Sequence, residues 1–334
     1  MAKNDNLHKA KDAKNDEFYT RIEDVAEELR HYKKHFAGKV VLCNCDDPTW
    51  SAFWRYFHLN FAELGLKKLI STHYDRTEPT YKMEYEGWDD NNVEVGVKTP
   101  LEGNGDFRNK ECLDLLDECD IVVTNPPFSL FREYVAVLMQ HQKKFLILGN
   151  MNALTYKEIF PLIRDNQLWY GASIHSGDRK FYVPNDYPLK ASGCGVDNNG
   201  QKFIRVKGVR WYTNLDYKAR HEKLVLWKNY TPEEYPKYDN YDAINVNKYS
   251  EIPCDYDGVM GVPITFIDYY CPEQFEIVAF RKGNDGKDLV FTRERESSTV
   301  LSYPCTTSIA GMIKNAEGKI NGKPTYARIT IRRK

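Results

Sequence analysis

Residues 125–128 read Asn-Pro-Pro-Phe and follow directly on the apolar run Ile121-Val122-Val123-Thr124. The Asn125 side chain brings a carbonyl acceptor, and the Pro126 main chain brings another. The rings of Pro126 and Pro127 restrict the backbone, so both oxygens are pre-positioned and little reorganisation is left for a reacting group. Two fixed acceptors match an amino group, which has two hydrogens to donate. The lone pair of an exocyclic amine such as adenine N6 is delocalised into the ring, which makes it a poor nucleophile. Accepting both hydrogens favours a more tetrahedral nitrogen without a strong general base. Phe128 adds a ring that can stack on a base taken out of a duplex, where the target nitrogen is otherwise inaccessible. Asn125, Pro126, Pro127 and Phe128 are therefore the candidate catalytic set, and methyl transfer is the chemistry they suit. Asn-Pro-Pro is also an ordinary turn, so the reading depends on its surroundings.

Those surroundings are strand, loop and helix. A short β-branched run ahead of prolines reads as a buried strand, which puts Asn125 at the carboxyl edge where open α/β sheets bind ligands. Ser129 is placed to cap a helix over Leu130 to Met139. Upstream, Glu23 to His35 reads as a helix, Lys39 to Cys45 as the first strand, Ser51 to Leu64 as a helix and Lys67 to Thr72 as the second strand. A helix through Leu113–Leu116 precedes the Asn125 strand, and Phe145 to Leu148 is a further buried strand. This alternation predicts an α/β fold with parallel strands and right-handed crossovers. Extended segments at 180–183, 203–206 and 209–212 are expected to complete the sheet as an antiparallel edge. From about Tyr230 the chain turns tyrosine- and proline-rich. The expected organisation is a catalytic domain over 1–230 and a loop-rich region over 231–334, with residues 1–13 as a mobile polar arm.

The formal charge of -1 over 334 residues is unevenly spread. Residues 1–200 carry 25 basic and 31 acidic side chains, whereas 201–334 carry 22 and 17, and the last 54 residues carry 12 and 5. A basic C-terminal surface suits phosphates and salt-dependent nucleic-acid binding, with Arg328, Arg332 and Arg333 as candidate contacts. No apolar stretch approaches a membrane span of about 20 residues, and the polar start is no secretory signal, so a cytoplasmic location without membrane association is expected. The eight cysteines form no Cys-x-x-Cys pair, which favours reduced thiols and no metal site.

The motifs together resemble the EcoRI-type adenine-N6 DNA methyltransferases of restriction-modification systems. The shared strings run along most of the chain: DEFYT at 16–20, CNCDDP at 43–48, GDFR at 105–108, DIVVTNPPFSLFREY at 120–134, TYKE at 155–158, TNLD at 213–216, YPKYDNYDAINVNK at 235–248 and GVMGVPITF at 258–266. NPPF alone marks amino-methyltransferases broadly, and the C-terminal strings narrow the match. The resemblance implies a Rossmann-like sheet using S-adenosylmethionine, with 231–334 as target-recognition region. It implies that Phe18, Tyr19 and Thr20 contact the methionine part of the donor, and that Asp106 and Phe107 hold its adenine. Asp46, Asp47 and Pro48 are further donor candidates, and Asp75 is the candidate ribose ligand. The glycine-rich loop usual after the first strand is replaced by Asp47-Pro48-Thr49-Trp50-Ser51-Ala52-Phe53, which contains no glycine.

The function so implied is methylation of adenine N6 in duplex DNA by a monomer, with the base flipped and no metal required. A cognate restriction endonuclease would act on the same site without a stable complex. Two other readings stand beside it: methylation of RNA adenine or of a protein glutamine amide, and an inactive DNA-binding regulator that kept the fold.

Overall fold

The computed structural model describes residues 18–45, 47–75, 78–87, 95–185, 187–189, 193–239, 242–280, 290–294, 300–304, 319–321, 323–325 and 328–334. The expected arm at 1–13, Asp16, Glu17 and the donor candidate Asp46 lie outside the described residues. The chain divides into two compact units, residues 1–156 with 169–217, and residues 157–168 with 218–334.

The first unit holds β1 (Val40–Cys43), β2 (Lys68–Thr72), β3 (Tyr81–Tyr85), β4 (Val97–Pro100), β5 (Ile121–Thr124), β6 (Lys144–Asn150), β7 (Trp169–Tyr170), β8 (Asp178–Tyr182), β9 (Gly195–Val196), β10 (Lys202–Lys207) and β11 (Val209–Thr213). Its helices are α1 (Ile22–Leu29), α2 (Ala52–Leu59), α3 (Phe61–Leu64), α4 (Lys110–Glu118) and α5 (Phe131–Gln140). Eight strands form one sheet in the order β4-β3-β2-β1-β5-β6-β11-β7. The central four, β2-β1-β5-β6, are parallel, and both flanks are antiparallel. Every residue of β1 and of β5 is buried. Strands covered on both faces have no polar side to show, which explains their continuous apolar runs. From β1 the chain steps outward to β2, then returns to the other side of β1 for β5. That reversal opens a crevice beyond the carboxyl ends of β1 and β5, where ligands bind in open α/β sheets.

The expected antiparallel edge is present in part. β11 pairs with β6 over Val209–Thr213, whereas β8 and β10 leave the main sheet and form a three-stranded sheet with β9. Helix ends differ from expectation for local reasons. The Ser51 hydroxyl caps α2 by accepting from the Trp54 amide at 3.2 Å, but the helix expected through Leu64 breaks at Asn60. There the Asn60 side chain donates to the Tyr56 carbonyl at 2.7 Å. Ser129 does not cap α5. The Pro127 carbonyl accepts from the Leu130 amide at 3.0 Å, drawing residues 128–130 into a 3-10 turn, and Leu130 becomes the residue before the helix.

The second unit contains α6 (Phe160–Arg164), β12 (Ile244–Asn245), β13 (Met260–Pro263), β14 (Phe275–Phe280), β15 (Val290–Glu294), β16 (Val300–Pro304), β17 (Lys319–Ile320), β18 (Lys323–Pro324) and β19 (Arg328–Arg333). The sheet order is β12-β13-β19-β14, and β15–β16 and β17–β18 are two-stranded pairs. Phe160 packs on Phe280 at 5.4 Å between ring centroids. Among the described residues no helix is long and apolar enough to cross a membrane.

One glycine fixes the approach of two site loops. Gly105 has φ +73°, and a Cβ there would lie 2.0 Å from the His73 carbonyl oxygen just past β2. Gly105→Ala therefore combines a left-handed backbone with a main-chain clash. The expected loss is about 2 kcal/mol of unfolding free energy, read from urea midpoints. A midpoint unchanged from wild type would show that the loops separate freely.

Candidate active site

The crevice beyond the carboxyl ends of β1, β2 and β5 holds a cavity of about 240 Å³. The exit of β1 contributes Cys45, Asp47 and Trp50 to its lining, and the exit of β2 contributes His73, Tyr74 and Asp75. Asn125 and Pro127 enter from β5, and Phe18 and Tyr19 from the N-terminal segment. The strand ends are locked together at this point. The Thr124 hydroxyl donates to the Asn44 carbonyl and the Tyr134 hydroxyl to the Asn44 side-chain oxygen. Ser71 donates to the Cys43 carbonyl at 2.7 Å, tying β2 to β1.

Asn125 is 9% exposed, and its Nδ2 donates to the Phe18 carbonyl at 2.6 Å. Because a carbonyl can only accept, that contact fixes which end of the carboxamide carries the hydrogens. Oδ1 is then buried without a hydrogen-bond partner among the described residues. Phe18 is itself held in place. Tyr19 and Tyr182 exchange main-chain hydrogen bonds of 2.9 and 3.0 Å. The Phe18 ring meets Phe128 edge-on at 5.9 Å and Phe181 at 5.9 Å. The buried hydroxyls of Thr20 and Thr72 and the Nδ1 atom of His73 likewise have no hydrogen-bond partner among the described residues.

The carboxylates are committed to different degrees. Asp47 Oδ1 accepts from the Thr49 amide at 2.9 Å, the Thr49 hydroxyl at 2.7 Å and the Tyr81 hydroxyl at 2.7 Å. Its Oδ2 lies 3.6 Å from His73 Nε2. Asp75 Oδ1 accepts from the Glu78 amide at 2.9 Å. Asp106 is gripped by Arg108, through Nε at 2.9 Å, Nη2 at 2.7 Å and the amide at 2.9 Å. Those hydrogen bonds hold the Asp106 carboxyl below its ordinary range against the opposing effect of burial. Phe107 is buried edge-on against Tyr134 at 4.9 Å.

The structure thus brings Phe18, Tyr19, Asp47, Asp75, Asn125 and Pro127 to one cavity, as the sequence suggested. Thr20, Pro48, Asp106, Phe107, Pro126 and Phe128 are outside its lining. Cys45, Trp50, His73 and Tyr74 were missed. A signal existed for the last two, which directly follow a recognisable strand. Cys45 has φ +66°, the left-handed conformation that a glycine in such a loop adopts freely. Trp50 is 73% exposed, unusual for so large an apolar ring.

A parallel sheet core that reverses at β1 and β5, a cavity at the reversal and an unpartnered carboxamide oxygen after β5 define a Rossmann-like methyltransferase. The chain belongs to the family of adenine-specific methyltransferases of EcoRI type, whose model matches residues 6–334. It is 49% identical over 303 residues to the type II methyltransferase M.EcoRI of Escherichia coli, covering 86% of this chain and 93% of the relative. It is 39% identical over 332 residues to the type II methyltransferase M.MpnI of Mycoplasma pneumoniae, covering 98% of each. The type II methyltransferase M.MgeORF184P of Mycoplasma genitalium is 38% identical over 333 residues, again with 98% of each chain covered. No solved structure matches the chain.

The Asp106–Arg108 fork makes the loop's stability depend on pH. A carboxyl whose folded pKa lies below its ordinary 3.8 contributes stability above that value and loses it as pH falls through the folded one. Asp106→Asn is expected to be less stable than wild type at pH 7, with the gap closing in acid. Urea midpoints at pH 7, 5 and 3 test this, and a gap that stays constant would contradict it.

Proposed function

We propose that this protein transfers the methyl group of S-adenosylmethionine to N6 of an adenine within a short duplex DNA sequence, as the modification part of a restriction-modification system. The observation that carries the reading is the Asn125 carboxamide, whose nitrogen is anchored on Phe18 and whose buried oxygen has no partner among the described residues. Membership of an adenine-specific methyltransferase family and similarity to type II methyltransferases support it.

The cavity fits the donor by the chemistry of its lining, which combines the carboxylates of Asp47 and Asp75 with the rings of Phe18, Tyr19, Trp50 and Tyr74. When bound, S-adenosylmethionine supplies a sulfonium methyl already activated for displacement, so the reaction calls for no metal. Asn125 Oδ1 and the Pro126 carbonyl would accept the two N6 hydrogens of the flipped adenine. Pro127 restricts the backbone between strand and turn. Phe128, met edge-on by Phe18, would offer its face to the base. On the donor side, Asp47 and Asp75 would accept from its polar groups, with Phe18, Tyr19 and Thr20 toward the methionine part. Asp106 and Phe107 would serve the donor's adenine, and Asp46 and Pro48 remain further donor candidates.

Target recognition would lie in 231–334, part of the net-basic C-terminal portion. The expected phosphate contacts there also have partners within the protein. Arg328 donates to Asn245 at 3.2 Å, Arg332 to Glu276 at 2.8 Å and Arg333 to the Cys254 carbonyl. Each guanidinium keeps further N–H donors beyond these bonds, so the three arginines stay candidate phosphate contacts. The enzyme would act as a cytoplasmic monomer, because such enzymes modify one strand at a time. A cognate endonuclease would share its site without forming a stable complex.

Duplex DNA incubated with labelled donor should yield label on N6-methyladenine after nucleoside analysis. Label confined to cytosine or to protein would overturn the reading, as would RNA labelled in preference to DNA. Asn125→Ala should lower kcat by about 10²–10³-fold or more, as expected when a pre-positioned acceptor is lost. Its donor affinity, measured by calorimetry, should stay within about threefold of wild type. Turnover retained by Asn125→Ala would refute the acceptor role.

A further inference from the structure

Two features of the β1 exit are unexplained by the catalytic tetrapeptide. The loop from Asp47 to Ser51 lacks glycine, so main-chain approach to a ligand is restricted where such loops usually permit it. Yet a carboxylate in that loop is held by three donors, one of which comes from another strand. Tyr81 opens β3, the strand antiparallel to β2, and its hydroxyl reaches Asp47 Oδ1 at 2.7 Å. Tyr81 is in turn seated on the β2 exit, where its carbonyl accepts from the His73 amide at 2.9 Å. Lys98 Nζ sits 3.6 Å from the Tyr81 ring centroid on the opposite strand β4.

We infer that Tyr81 is a positioning residue for donor binding, fixing Asp47 through Oδ1 so that its other oxygen is available in the cavity, in place of a glycine-rich main-chain cradle. The inference rests on the reading that this cavity takes S-adenosylmethionine. With Oδ1 filled by Tyr81 and Thr49, the carboxylate cannot turn without giving up hydrogen bonds, and Oδ2 points to the His73 side of the cavity. A fixed carboxylate binds more tightly than a mobile one, because its rotamer is already ordered before the ligand arrives. Burial first, then the hydrogen bond to Asp47 and after it the Asp47 charge, push the Tyr81 hydroxyl above its ordinary value of 10.0. It therefore stays protonated, and able to donate, across the working pH range.

The role predicts a split between binding and turnover. Tyr81→Phe removes the hydroxyl and keeps the ring. It should raise the Kd and KM for S-adenosylmethionine about tenfold, the effect of losing a hydrogen bond to a charged group, while kcat at saturating donor and the Kd for duplex DNA stay within about twofold. Thr49→Val removes another donor to the same oxygen without touching β3 and should shift the donor Kd in the same direction. Donor Kd is read by calorimetry on the full chain without DNA, independently of turnover. If both variants bind donor as tightly as wild type, or if kcat falls in step with affinity, the positioning role is overturned and the proposed activity stands. If wild type itself fails to bind S-adenosylmethionine, the reading of the cavity falls and the inference with it.

Discussion

One hydrogen bond, from the Asn125 amide nitrogen to the Phe18 carbonyl, sets the orientation on which the site depends. It consumes the donating end of the side chain and leaves the accepting end buried without a partner among the described residues. A buried unsatisfied acceptor costs roughly 1–3 kcal/mol, so the arrangement persists because its surroundings over-determine it. β5 is buried along its whole length, Thr124 is tied to the end of β1, and Phe18 is held by two rings. The cost is retained in the resting protein as a buried acceptor held in a fixed position, and under the proposed function it would act as electrostatic preorganisation.

This makes the small sheet of β8, β9 and β10 more than an appendage. Its strand β8 exchanges two main-chain hydrogen bonds with Tyr19, and Phe181 packs on Phe18. An N-terminal segment without such a splint would swing, and the carbonyl anchoring Asn125 would swing with it. The antiparallel flank on the other side works similarly. β3 adds nothing to the crevice between β1 and β5, but it delivers Tyr81 to Asp47. The parallel core creates the crevice, and the antiparallel additions on either side immobilise what lines it.

The sequence was most legible where structure is local and continuous. β1, β2, β5, β6 and β11 could be read because short runs rich in β-branched, aliphatic and aromatic residues mark buried strands, and Asn125 followed from β5 by adjacency. Helix ends were harder, because they turn on single hydrogen bonds such as Asn60 to the Tyr56 carbonyl and Leu130 to the Pro127 carbonyl. The departure of β8 and β10 from the main sheet has no local signature, since their alternation is the same in either sheet. In the site, Asp47 and Asp75 were visible through motif resemblance. Tyr81 was not, because it acts across strands and carries no spacing signal. The arginines of β19 show what a net charge leaves out: it counts cations without showing their partners, such as Glu276 beside Arg332.

The carboxylates of the site can be ranked by what they have left to offer. An ionised carboxylate has about four lone-pair positions. Asp106 spends three hydrogen bonds on Arg108, distributed over both oxygens, so its remaining capacity suits a single N–H such as one from an exocyclic amine. Asp47 concentrates its three donors on one oxygen and leaves the other 3.6 Å from His73 Nε2, outside normal hydrogen-bond length. A free oxygen on a fixed carboxylate suits a group with several hydrogens or a positive charge. The two acids differ little in sequence context, each standing in a short loop after a strand. Their neighbours separate them, Arg108 closing one carboxylate and Tyr81 holding the other open.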